Sequence, residues 1–132
     1  MGIFKREKEY EQIVNIDRLS GMVENYLKED KWEVQVGKTE NEGKVLQARK
    51  EGILRGLFAA DRSLTIVLSK TPKGTKVEMG VGKWVQNIAV TIVESVILSL
   101  FLVIDIPEML WNAEIENKIQ KKIDEFVVQI KE

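Results

Sequence analysis

Glu94 is the acidic residue whose setting most invites a chemical role. It interrupts a largely apolar run, WVQNIAVTIVESVILSLFLVIDIPEMLW, between Trp84 and Trp111, in which only Glu94, Asp105 and Glu108 carry charge. Burial there would raise its pKa by desolvation unless a cation paired with it, which is how proton-handling and ligand-holding carboxyls are made. A surface position or a polar contact between helices is the preferred reading. Ser63, Ser69, Ser95 and Ser99 are available hydroxyls, but the sequence has no histidine and no cysteine. No Ser–His or Cys–His arrangement can form, and the Ser-x-x-Lys spacing does not occur. Imidazole and thiolate metal ligands are likewise excluded, and no carboxylate spacing argues for a metal. Asp61 and Arg62 are adjacent and read as a cap or pin for the following strand. Gly80 and Gly82 suit a bulge or a close backbone approach, not a phosphate-binding fingerprint. No catalytic, cofactor or metal residue is assigned, and the chain is not expected to be an enzyme.

Charge points to surfaces instead. The 132 residues carry 20 basic and 21 acidic side chains, for a net charge of -1. Their distribution is uneven, since the block Lys44–Lys83 is +6. Arg49, Lys50, Arg55, Arg62 and Lys76 are the candidate surface for an anionic partner, with anionic lipid the natural one. Ile53, Leu54, Leu57 and Phe58 lie among these cations in EGILRGLFAA, and form a candidate apolar loop. Such a loop either closes the end of a core or touches a membrane. A nucleic acid is not an expected partner, because Trp32 and Phe58, the aromatics that could stack on bases, read as core residues.

The elements that position these residues follow from periodicity. Residues 1–9 read as a charged tail without the apolar stretch of a secretory signal, and 10–132 as a single domain. A first strand is expected at Tyr10–Ile16. Asp17 is the expected N-cap of a helix to Glu29, whose Leu19, Val23 and Leu27 recur at helical spacing. Strands follow at Trp32–Gly37 and Lys44–Lys50. Arg62–Lys70 and Thr75–Val81 form a hairpin around Pro72 and Gly74. In the first strand of the hairpin Leu64, Ile66 and Leu68 alternate with Ser63, Thr65 and Val67. The C-terminal stretch from about 107 to 130 reads as an amphipathic helix. Its apolar side is Leu110, Ile115, Ile119, Ile123, Phe126, Val127 and Ile130. Lys118, Gln120, Lys121, Lys122, Asp124 and Glu125 form its wet side.

Between these lies the apolar segment of about 84–106, read as one helix of roughly 34 Å. No Lys or Arg occurs between Lys83 and Lys118. The fold class expected is therefore α+β: a mainly antiparallel sheet, an early helix, a long apolar helix packed on the sheet and a C-terminal amphipathic helix. The order of elements over Tyr10–Ile106 resembles a shortened START/Bet v 1-like helix-grip architecture, a resemblance of topology without a diagnostic motif. It implies an apolar ligand held under the long helix. Three functions follow. The apolar helix self-associates through Ala89, Val93, Val96, Leu100 and Ile104, giving a homodimer or higher oligomer that serves as a cytoplasmic interaction or scaffolding module. Alternatively it spans or lies in a membrane, with the tryptophans as interface anchors and the remaining domain in the cytoplasm. The third function is the helix-grip one.

Overall fold

A computed structural model describes residues 5–39, 42–49, 62–84, 88, 92–93 and 113–131. The described elements run β1 (Lys5–Tyr10), α1 (Ile16–Glu29), β2 (Glu33–Thr39), β3 (Lys44–Arg49), β4 (Arg62–Thr71), β5 (Gly74–Lys83), β6 (Ile92–Val93) and α2 (Ala113–Lys131). The fold is a small α+β domain. Five strands form an antiparallel sheet in the order β1-β5-β4-β3-β2, and β6 adds a short parallel pairing at the outer edge of β2.

The sheet divides its side chains by parity, as pleating requires. Leu46 and Ala48 of β3, Leu64, Ile66 and Leu68 of β4, and Val77 and Met79 of β5 are buried on one face. The register places Leu46 opposite Ile66 and Ile66 opposite Met79, so this apolar set is continuous across three strands. Leu19, Val23 and Leu27 of α1, and Ile119, Ile123 and Val127 of α2, belong to the same core cluster. Burying each such aliphatic side chain stabilises the fold by about 1.5–3 kcal/mol. The alternations of β3, β4 and β5 and the described parts of both helical stripes thus pack as their periodicity predicts.

Four features differ from expectation. Residues 5–9 are not a frayed tail but most of β1, whose partner is β5. An edge strand needs backbone partners on one side only, and alternating charge is a usual protection for its free side. That is why a strand hides in KREKEY. The residues after it are not strand, and α1 begins at Ile16. Its N-cap is Asn15, whose Oδ1 accepts from the Arg18 amide at 3.0 Å. Asp17 sits in the first turn and reaches Lys44 at 3.3 Å instead. The third difference concerns the long apolar helix. Ile92 and Val93 are extended and pair with Lys38 and Thr39, so a helix does not run unbroken from 84 to 106. Two β-branched residues beside an open strand edge gain ladder hydrogen bonds that a helix would deny to β2. The helix that covers the sheet beside α1 is α2. The fourth difference is Gln120, read as wet but buried against Tyr10. Residues 94–112, with Glu94, Val96, Leu100 and Ile104, lie outside the described residues. So do Ala89, Asp61 and the loop holding Ile53, Leu54, Leu57 and Phe58.

The end of α1 carries an identifiable strain. The Trp32 amide donates to the Leu27 carbonyl at 3.0 Å, and the Lys31 amide to that of Lys28 at 3.0 Å. This pair of bonds is a Schellman motif, and Leu27 and Trp32, the positions that commonly make its apolar contact, are both buried in the core cluster. Lys31 holds the left-handed position at φ 68°. A side chain there costs roughly 1–2 kcal/mol, of which the extra unfolded-state freedom of glycine offsets part. Lys31→Gly is therefore expected to stabilise the domain by about 0.5–1 kcal/mol. Thermal unfolding checks this; an unchanged or lower midpoint would mean the turn relaxes without strain.

Candidate functional site

The sheet has a second face, and the chain after β5 is drawn onto it. On this face stand Gln35 and Gly37 of β2, Val45, Gln47 and Arg49 of β3, and Ser63, Thr65 and Val67 of β4, paired across the strands in register. Its centre is polar yet fully buried: Gln47, Ser63 and Thr65 have no exposed surface. Buried polar groups persist only when hydrogen-bonded, and these form a ladder. Gln35 Nε2 donates to Gln47 Oε1 at 3.1 Å, and Gln47 Nε2 donates to Thr65 Oγ1 at 3.3 Å. The Ser63 and Thr65 hydroxyls are 3.4 Å apart. Val45 and Val67, also buried, flank the ladder.

Two described residues show how the following segment meets this face. Trp84 lies against Arg49, with the guanidinium carbon 3.9 Å from the ring centroid. Arg49 is held from the other side by Glu33, which accepts from Nε at 3.0 Å and from a terminal nitrogen at 3.4 Å. A fixed guanidinium on an indole face is worth about 0.5–2 kcal/mol, more as water is excluded, and Trp84 is buried. Further on, Ile88 is fully buried against Gly37. A Cβ on Gly37 would come within 2.7 Å of both Ile88 Cγ1 and the Ile88 carbonyl oxygen. The missing side chain thus makes room for this close approach. β6 then lies along the end of β2. Trp84 and Ile88 thus stand over β3 and β2 on the face that α1 and α2 leave alone, and β6 stands at the outer edge of β2.

The sequence candidates fall unevenly on this frame. Arg49 and Lys76 are on the second face but at opposite ends of it, and both are engaged. Lys76 donates to Glu7 at 3.1 Å, and that hydrogen bond holds its ammonium above the ordinary lysine range against the opposing effect of burial. Arg62 pairs through its backbone with Lys83. Lys50 and Arg55 lie outside the described residues. Of the self-association face, Val93 is placed in β6. Trp32 is buried and donates from Nε1 to Asp30 Oδ2 at 3.2 Å, so it is not a stacking platform. Among the described residues no three His, Cys, Asp or Glu side chains are grouped to hold a metal ion. No helix among them is long and apolar enough to cross a membrane.

Sequence reasoning missed a second basic grouping. Lys38, Lys44 and Lys70 converge at one end of the sheet beside the start of α1. Lys38 continues the parity of Val34 and Val36, and Lys44 that of Leu46 and Ala48. Folding the β2–β3 turn back on itself would have placed the two lysines opposite each other. Comparison with family models, curated proteins and solved structures returned no match, so the site is interpreted from its own chemistry.

Proposed function

We propose that the protein is a non-enzymatic interaction module that associates with a second copy of itself through the apolar segment 84–106. The observation that supports this most is the division of the sheet. One face is filled by α1 and α2, while Trp84 and Ile88 take the start of the segment onto the other. The apolar side chains that follow need shelter that the helix side is already using, and an identical surface is the simplest source. The cytoplasm is the compartment we propose.

Leu100→Asp tests this reading. In detergent-free buffer the wild-type protein is expected to elute as a dimer by size-exclusion chromatography with light scattering. The variant is expected at half that mass, with its circular dichroism retained. A wild-type monomer, or a variant of unchanged mass, would reject the proposal. Tryptophans at both ends of Trp84–Trp111, with no Lys or Arg between them, favour a second reading, association with a bilayer. Recovery of the wild-type protein only in the membrane pellet would select it.

A further inference from the structure

We propose that the cleft between the first turn of α1 and the β2–β3 turn binds a phosphate group. The cleft has a volume of about 440 Å³, and its lining includes Lys38, Lys44, Lys70, Thr39, Asp17 and Glu42. The inference rests on the lysines. Lys38 and Lys44 are directly opposed cross-strand partners, so their ammonium groups start from one face of one residue pair. Like charges in that relation are destabilising. Lys70 extends the same face of β4, two residues beyond Leu68, the partner of Lys44.

The domain's own acids relieve this only in part. Asp17 takes Lys44 at 3.3 Å. Among the described residues Lys38 and Lys70 make no ion pair, and Glu42 lines the cleft without closing one. Three ammonium groups around a concave space suit a compact, multiply charged anion, and a phosphate group brings -1.5 to -2 charges and three acceptor oxygens. The first amides of α1 add a weaker attraction of the same sign, although Asn15 already caps that turn. Thr39 also touches the other element of interest. β6 ends with Val93 beside it, at the end of the sheet that carries the lysines. The phosphate can therefore come from a lipid headgroup or from a free phosphorylated molecule. The chemistry is the same, and neither source depends on the self-association proposed above.

The test uses the full chain and two probes: inorganic pyrophosphate by titration calorimetry, and phosphatidylcholine vesicles with and without phosphatidic acid by co-sedimentation. The variant is Lys38→Ala with Lys70→Ala, both exposed positions, and Lys121→Ala on the outer side of α2 is the control. The expected result is at least a tenfold loss of affinity in the double variant for whichever probe binds, with the control unchanged. Without ligand the double variant is expected to melt no lower than the wild type, because repulsion is removed; a structural role for these lysines would lower it. Saturable binding of pyrophosphate identifies a free phosphate as sufficient, while sedimentation that requires phosphatidic acid identifies the headgroup. The proposal is overturned if neither probe binds above the phosphatidylcholine background, or if the double variant binds like the wild type.

Discussion

Gly37→Val is expected to release the segment that follows β5 from the sheet, at a cost of about 2–3 kcal/mol. The reasoning is steric. The position would need its Cβ 2.7 Å from Ile88 Cγ1 and from the Ile88 carbonyl oxygen. A side-chain carbon could rotate away, but the backbone oxygen cannot, so Ile88 must lift from β2. Ile88 is fully buried, so lifting it also forfeits its share of apolar burial. The effect should spread to both neighbours in the chain. Trp84 is seated on Arg49 four residues earlier, and β6 lies four residues later along Lys38 and Thr39. Amide exchange along β6 and the outer edge of β2 is expected to accelerate far more than exchange in β4 and β5, whose pairing is independent of Ile88. Chemical denaturation gives the total cost. Unchanged stability together with unchanged exchange at β6 would mean that Ile88 is not seated on Gly37, and the argument for a segment drawn onto the second face would fall with it.

That segment also marks where sequence patterning stops being informative. Strand alternation identified β3, β4 and β5 because each buries a strict apolar parity. The stripe Leu19–Val23–Leu27 identified α1 for the same reason. β1 escaped because its apolar content is one residue, Tyr10; its structure is imposed by β5, not by its own pattern. The run after Trp84 is apolar at every period, so it satisfies helix and strand templates alike. What decided Ile92 and Val93 was a free edge on β2, a fact of tertiary structure. The lysine cleft was hidden by distance along the chain: Lys38, Lys44 and Lys70 sit in three strands and look like ordinary turn flanks. The basic block, by contrast, was legible as a sum but misleading as a surface. Arg49 and Lys76 share a face yet stand at opposite ends of it, each paired with a carboxylate from the adjacent strand.

The second large effect is expected at the contact that ties α2 to β1. Asp124 is approached by three donors. The Tyr10 hydroxyl donates to its Oδ1, Lys8 Nζ donates at 2.9 Å, and Gln120 Nε2 lies at 3.4 Å while donating to the Tyr10 oxygen at 2.7 Å. Burial alone would raise the Asp124 carboxyl, but the hydrogen bonds from Tyr10, Lys8 and Gln120 outweigh it and hold the group below the ordinary carboxylate range. Tyr10 moves the other way. Burial raises its phenol, and the bond to Asp124 raises it further. The carboxylate is partly exposed, so solvent screening limits the worth of the contact to about 1–2 kcal/mol. Asp124→Ala is expected to lose that amount, and Tyr10→Phe made in the Asp124→Ala background to cost less than Tyr10→Phe alone. The pH dependence follows from the two directions. The Asp124 contribution is present above its unfolded value of about 3.9 and disappears as pH falls through its lowered folded value. The Tyr10 contribution is present below about 10 and is lost as pH rises towards its raised folded value. Stability should therefore be flat across neutral pH and fall at both extremes, with the Asp124→Ala variant lacking this group's share of the acid-side loss. Strict additivity of the two substitutions, or an acid limb identical in wild type and Asp124→Ala, would show that α2 is held by its apolar stripe alone.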